Sequence, residues 1–170
     1  MFQSDKGIWL LSRDLNTSYI GAPVESYTAS SRVLSAVNVP GTNQVRFALD
    51  SGITLVYDYF FNQWLTFTGV ASVASTLYNG HHTFVNSRGE VYKENPGSYL
   101  DGSRPVLLQF STSWISTAGL QGFQRAYFLN LLGQYLSPHK LEVSIAYDYS
   151  SSASQITVIT PNNVNTPWGD

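Results

Sequence analysis

The chain of 170 residues contains no cysteine. No disulfide framework and no thiolate metal site can be built from it. Charge is also scarce: Asp, Glu, Lys and Arg make up 12% of the residues, and the formal net charge is −2. About 25% is usual for a soluble domain. The nine Lys and Arg are scattered rather than clustered, which argues against a dedicated nucleic-acid surface. No run of 18 apolar residues occurs, so a membrane-spanning helix is not expected. Met1 to Lys6 does not have the charged-then-apolar pattern of a secretory signal.

Against these shortages stand 11 Tyr, 9 Phe and 4 Trp. Aromatics favour strands and interfaces. With so little charge to solvate a free surface, the composition predicts a chain with much of its surface held against partners.

Residues 50 to 69 organise the chain. Asp50-Ser51-Gly52 signals a turn, an apolar run extends from Ile53 to Phe61, Asn62-Gln63 interrupts it, and Trp64 to Phe67 resumes it. Turn, strand, turn, strand predicts a β-hairpin. Ile53, Leu55, Tyr57 and Tyr59 would share one face, with Thr54, Val56, Asp58 and Phe60 on the other. Bulky apolar groups on both sides predict a strand covered on both faces. Val33–Val39 and Gln44–Leu49 precede it as strands, which gives a four-strand unit over 33–69. Arg46 is expected on the face opposite Val45, Phe47 and Leu49.

The polar-turn, Gly, apolar-strand phrase recurs at Gly7, Gly52 and Gly89, a spacing of about 40 residues that matches propeller blades. Strands are predicted at 7–13 and 18–24 before the four-strand unit. After it they are predicted within 70–78, 81–85 and 90–93, with Asn95-Pro96-Gly97-Ser98 breaking the last unit. Beyond residue 100 the alternation becomes half-buried: Val106–Trp114 and Leu141–Tyr149 read as strands, with further strands at 123–135 and 155–159. The expected fold is all-β and antiparallel. Residues 1–100 form partial β-propeller-like blades, and residues 101–170 form a small β-sandwich-like unit with a loop tail.

The search for chemistry finds no phosphate loop, nucleophile elbow or His-Glu-x-x-His. His81 and His82 are adjacent on a predicted strand, point to opposite faces and cannot chelate one metal; both are expected on a polar strand edge. His139 falls in a turn. Asp58 and Asp148 each sit in a Tyr-Asp-Tyr triplet, but nothing in their spacing pairs them as glycosidase carboxylates. The expected site residues are non-catalytic: Tyr57, Tyr59, Phe60, Trp64 and Trp114 serve as packing or interface aromatics. No catalytic residue, cofactor or metal is expected. A carbohydrate-binding module using Tyr57, Trp64 or Trp114 as stacking platforms is the alternative.

An ordered set of phrases carries a resemblance: Lys6-Gly7-Ile8-Trp9-Leu10-Leu11, Ser18-Tyr19-Ile20-Gly21-Ala22-Pro23-Val24-Glu25, Gln44-Val45-Arg46-Phe47, Thr54-Leu55-Val56-Tyr57-Asp58-Tyr59 and Gln63-Trp64. Thr112-Ser113-Trp114-Ile115, Leu120-Gln121-Gly122-Phe123-Gln124-Arg125, Ser137-Pro138-His139-Lys140-Leu141 and Tyr147-Asp148-Tyr149 continue it. Over about residues 5 to 150 the chain resembles the tail-nozzle, or packaged-DNA-stabilisation, proteins of short-tailed bacteriophages. The resemblance implies a virion structural protein, assembled in the host cytoplasm as a homo-oligomeric ring. Its partners would be other tail proteins, towards the portal and adaptor on one side and the needle or fibre on the other. DNA would pass through without specific binding, and no membrane would be involved. The chain matches the later part of a longer protein, starting within the propeller and stopping before the usual C-terminal end.

Overall fold

A computed structural model describes residues 1–98, 100–116, 127–132 and 140–160. The chain divides into two compact units, Met1–Gly102 and Ser103–Asp170. The fold is all-β, with antiparallel sheets and one short helix.

The first unit holds three sheets. Phe2–Ser4 (β1), Gly7–Leu11 (β2) and Thr17–Tyr19 (β3) form the first. Val33–Val39 (β4), Gln44–Leu49 (β5), Thr54–Asp58 (β6) and Gln63–Phe67 (β7) form the second, a four-stranded meander in chain order. Ala74–Tyr78 (β8), His81–Val85 (β9) and Val91–Lys93 (β10) form the third. Leu100–Asp101 (β11) ends this unit and Arg104–Pro105 (β12) begins the next.

Local chemistry sets the turns. Asn79-Gly80 joins β8 to β9 with both φ angles positive, at 50° and 77°. A two-residue hairpin turn whose twist matches its strands needs that conformation, and Asn-Gly adopts it at low cost. Gly21 meets a different demand. A Cβ there would lie 2.7 Å from the Ile8 backbone nitrogen, and the Ile8 carbonyl accepts from the N–H groups of both Ile20 and Gly21 at 3.2 and 3.0 Å. Only a bare α-carbon lets the chain pass so close.

The predicted strand over 18–24 ends early for a related reason. Ala22–Val24 is a 3₁₀ turn and Glu25–Thr28 is one turn of α-helix (α1). Pro23 at the start of the 3₁₀ turn has no N–H to give a ladder and a φ suited to a helical start. The edge strand β1, absent from the sequence reading, pairs Phe2 with Trp9 and Ser4 with Gly7.

The central sheet is covered on both faces, as the two-sided pattern of β6 requires. Register sets Phe47 opposite Leu55, Val45 opposite Tyr57 and Tyr57 opposite Trp64, so these share one face. There they meet Ile8 and Val24 in the main core, with Ile20, Val33 and Ile53 packed around them. The other face carries Arg46, Ala48, Thr54 and Val56, all buried, and it meets the third sheet. Ser35 Oγ accepts from the Ser75 N–H at 2.9 Å, and Thr54 Oγ1 donates to the Val70 carbonyl at 2.7 Å.

The second unit differs from its expectation. Leu141–Ile145 (β13) pairs with Gln155–Ile159 (β14). Tyr147-Asp148-Tyr149 is not the end of a strand: Asp148 and Tyr149 adopt positive φ, 52° and 58°, in the connection. Val106–Trp114 forms no strand either, and Leu107, Leu108 and Phe110 are exposed. Alternation prepares a strand but does not supply a partner ladder, and none pairs with this segment among the described residues. The second layer that a sandwich needs is likewise absent among them. Residues 127–132 are irregular; the rest of the predicted 123–135 strand, apart from these, lies outside the described residues, as do the turn at 137–139 and the tail beyond 160.

Candidate functional site

The structure sorts the five predicted aromatics into two groups. Tyr57 and Trp64 are packing residues. Their rings lie 4.9 Å apart, and Trp64 also meets Phe47 at 5.9 Å. Trp64 Nε1 donates to the Ile20 carbonyl at 2.8 Å, tying the central sheet to the first. Tyr57 Oη donates to Asn62 Oδ1 at 2.9 Å. With Tyr57 buried, it cannot serve as a stacking platform.

Tyr59 and Phe60 lie at the tip of the β6–β7 hairpin. Phe60 and its neighbour Phe61 are 69% and 66% exposed, with rings edge to face at 4.8 Å. Hydrogen bonds fix the backbone of this turn. Asp58 Oδ1 accepts from the N–H groups of Phe60 and Phe61, both at 3.0 Å. The Tyr59 N–H donates to the Asn43 carbonyl at 3.0 Å, and Asn62 takes the left-handed conformation at φ 54°. Asp58 is therefore a turn-capping carboxylate. Trp114, in the second unit, is 48% exposed and meets Tyr149 at 5.1 Å.

Beside the tip, the first sheet leaves part of the central sheet uncovered. An open cleft of about 400 Å³ remains, with Met1, Leu10, Ala36, Asn38, Phe47 and Tyr59 among its walls. No charged side chain lines it.

One constellation was not legible in the sequence. Arg46 is buried on the second face of the central sheet, and its side chain is only 5% exposed. Nε and Nη2 donate to Gln44 Oε1 at 3.2 and 3.0 Å, and Nη1 and Nη2 donate to the Glu94 carboxylate at 3.0 and 3.2 Å. Nη1 also donates to His82 Nδ1 at 3.0 Å. All five N–H groups of the guanidinium are thus used, and the Phe67 ring lies 5.4 Å from its carbon.

His82 is buried, which corrects the polar-edge expectation for it. The opposite-face relation with His81 holds, since Leu77 pairs with His82 and Tyr78 with His81. Burial, and then the adjacent Arg46 charge, push the His82 imidazole below its usual range against a smaller opposing pull from Glu94. The ring is neutral, with its proton on Nε2 because Nδ1 accepts from arginine. Glu94 follows β10, and its N–H donates to the His82 carbonyl at 2.9 Å. The cluster is a polar joint between the second and third sheets in which every guanidinium N–H is bonded.

Among the described residues no group of three or more His, Asp or Glu is placed to hold a metal ion, and no helix is long and apolar enough to cross a membrane. The architecture defines an all-β protein of successive antiparallel sheets. No protein-family model, curated protein or solved structure matches the chain.

Proposed function

We propose that this chain is a structural subunit of a short-tailed phage tail, a nozzle or hub component that extends the DNA channel and helps retain packaged DNA. Its role is mechanical, and it uses no catalytic residue. The observation that carries the reading is the succession of three meander sheets stacked on one another in chain order, with the central one buried on both faces. Propeller blades stack in this way, and the ordered phrases of the resemblance span the same region. The scattered Lys and Arg suit a channel through which DNA slides, since many phosphate contacts would hold it. The test is negative-stain microscopy of the purified chain over a concentration series, with mass by light scattering. Ring-shaped multimers with a duplex-wide central opening are expected. Particles no larger than dimers throughout would overturn the reading.

The exposed Trp114–Tyr149 pair favours one second reading, a carbohydrate-binding module. Micromolar glycan binding that is lost in Trp114→Ala would establish it in place of the first.

A further inference from the structure

We propose that the β6–β7 hairpin tip and the neighbouring cleft form a two-fold docking surface, through which two copies of this chain exchange Phe60 and Phe61. The tip is a preorganised knob: two adjoining rings, each about two-thirds exposed, on a turn fixed by Asp58, Asn43 and Asn62. Little backbone ordering is left to binding, because hydrogen bonds already fix the turn. The cleft of about 400 Å³ has room for both rings. None of its lining side chains is charged, and the Asp58 carboxylate in the tip already faces two backbone N–H groups.

The knob does not fill its own cleft, since neither Phe60 nor Phe61 is among the lining residues. Tyr59, which lines the cleft, is the residue immediately before the knob. Knob and hole therefore sit on one continuous patch, the arrangement an isologous dimer needs, in which each copy gives and receives the same contact. Aromatic side chains bury ~150–250 Å² each. Four rings entering two clefts, with the walls they cover, bring the buried surface to about 1,000 Å², the threshold of specific interfaces. The contact is thus a weak, reversible dimer. It goes beyond the tail-subunit reading and does not depend on it, because a ring needs head-to-tail contacts whereas this one is two-fold.

Sedimentation equilibrium of the full chain tests it. Wild type is expected to show a reversible two-fold association step, whether or not larger multimers also form, and the F60S/F61S double variant to weaken that step at least about tenfold. Ala36→Trp, which fills the cleft and leaves the knob intact, is expected to do the same. Mixing these two variants restores one knob and one open cleft, and a heterodimer should form where neither dimerises alone. Because the chain has no cysteine, Phe60→Cys mixed with Ala36→Cys should also give an intermolecular disulfide under mild oxidation. A wild type that stays monomeric up to about 1 mM, far above typical specific dissociation constants, would overturn the proposal. Association that Ala36→Trp leaves unchanged would do so as well, since knob-to-knob stickiness does not need the cleft.

Discussion

Removing the Glu94 carboxylate probes how the second and third sheets are joined. Glu94 accepts two of the five hydrogen bonds of buried Arg46 and is its single salt-bridge partner among the described residues. A hydrogen bond to a charged group contributes ~1.5–3 kcal/mol, and stranding a buried charge costs more. The Glu94 side chain is 41% exposed, however, so in Glu94→Ala water reaches the freed Nη groups and recovers part of the loss. The expected destabilisation is about 2–3 kcal/mol. Glu94→Gln keeps one acceptor oxygen and loses the charge, and should cost about 1 kcal/mol. Urea unfolding would read these as midpoint shifts of roughly 1–2 M and half a molar, at the usual slopes for small domains. Amide exchange should accelerate first in β8–β10, whose link to β5 has been weakened. If Glu94→Ala unfolds within about 0.5 kcal/mol of wild type and exchange in these strands is unchanged, the joint does not hold the sheets and the reasoning fails.

Three further outcomes follow from the same contacts. Because the folded His82 value is depressed, the unfolded chain binds the extra proton first as pH falls through about 6.5; stability should drop below that pH down to the folded value, and His82→Gln should flatten this part of a urea-midpoint profile. Leu55→Ala, fully buried between two sheets that cannot close the gap, should cost about 3–5 kcal/mol, while Leu34→Ala on an exposed position of β4 should stay within about 0.5 kcal/mol; equal effects in chemical denaturation would contradict the assigned faces. Gly21→Ala places a methyl against the Ile8 backbone and should cost about 2 kcal/mol or more, with a melting temperature near wild type counting against that close approach.

The sequence by itself determined the local elements of residues 33–93. The alternation of faces in Val33–Val39, the Asn-Gly turn at 79–80 and the two-sided apolar run of β6 are properties of neighbouring residues, and they specify strand, turn and the sides available for burial before any long-range contact forms. It also determined, through the absence of cysteine, that no thiolate site could arise, and, through their adjacency on one strand, that His81 and His82 would face opposite ways. Tertiary structure decided where the polar groups went. Arg46 reads only as the polar position opposite Val45, Phe47 and Leu49 on an alternating strand. It is buried because the third sheet, some 36 and 48 residues further along, delivers His82 and Glu94 to it. The exposed ends of the pattern were also settled in three dimensions. Phe60 and Phe61 look like a continuation of the β6 core but leave the sheet because Asp58 caps their N–H groups and turns the chain. Val106–Trp114 alternates as a strand should, yet no described strand pairs with it. Periodicity encodes which side of a strand would be buried; only a partner supplied by distant sequence decides whether that burial takes place.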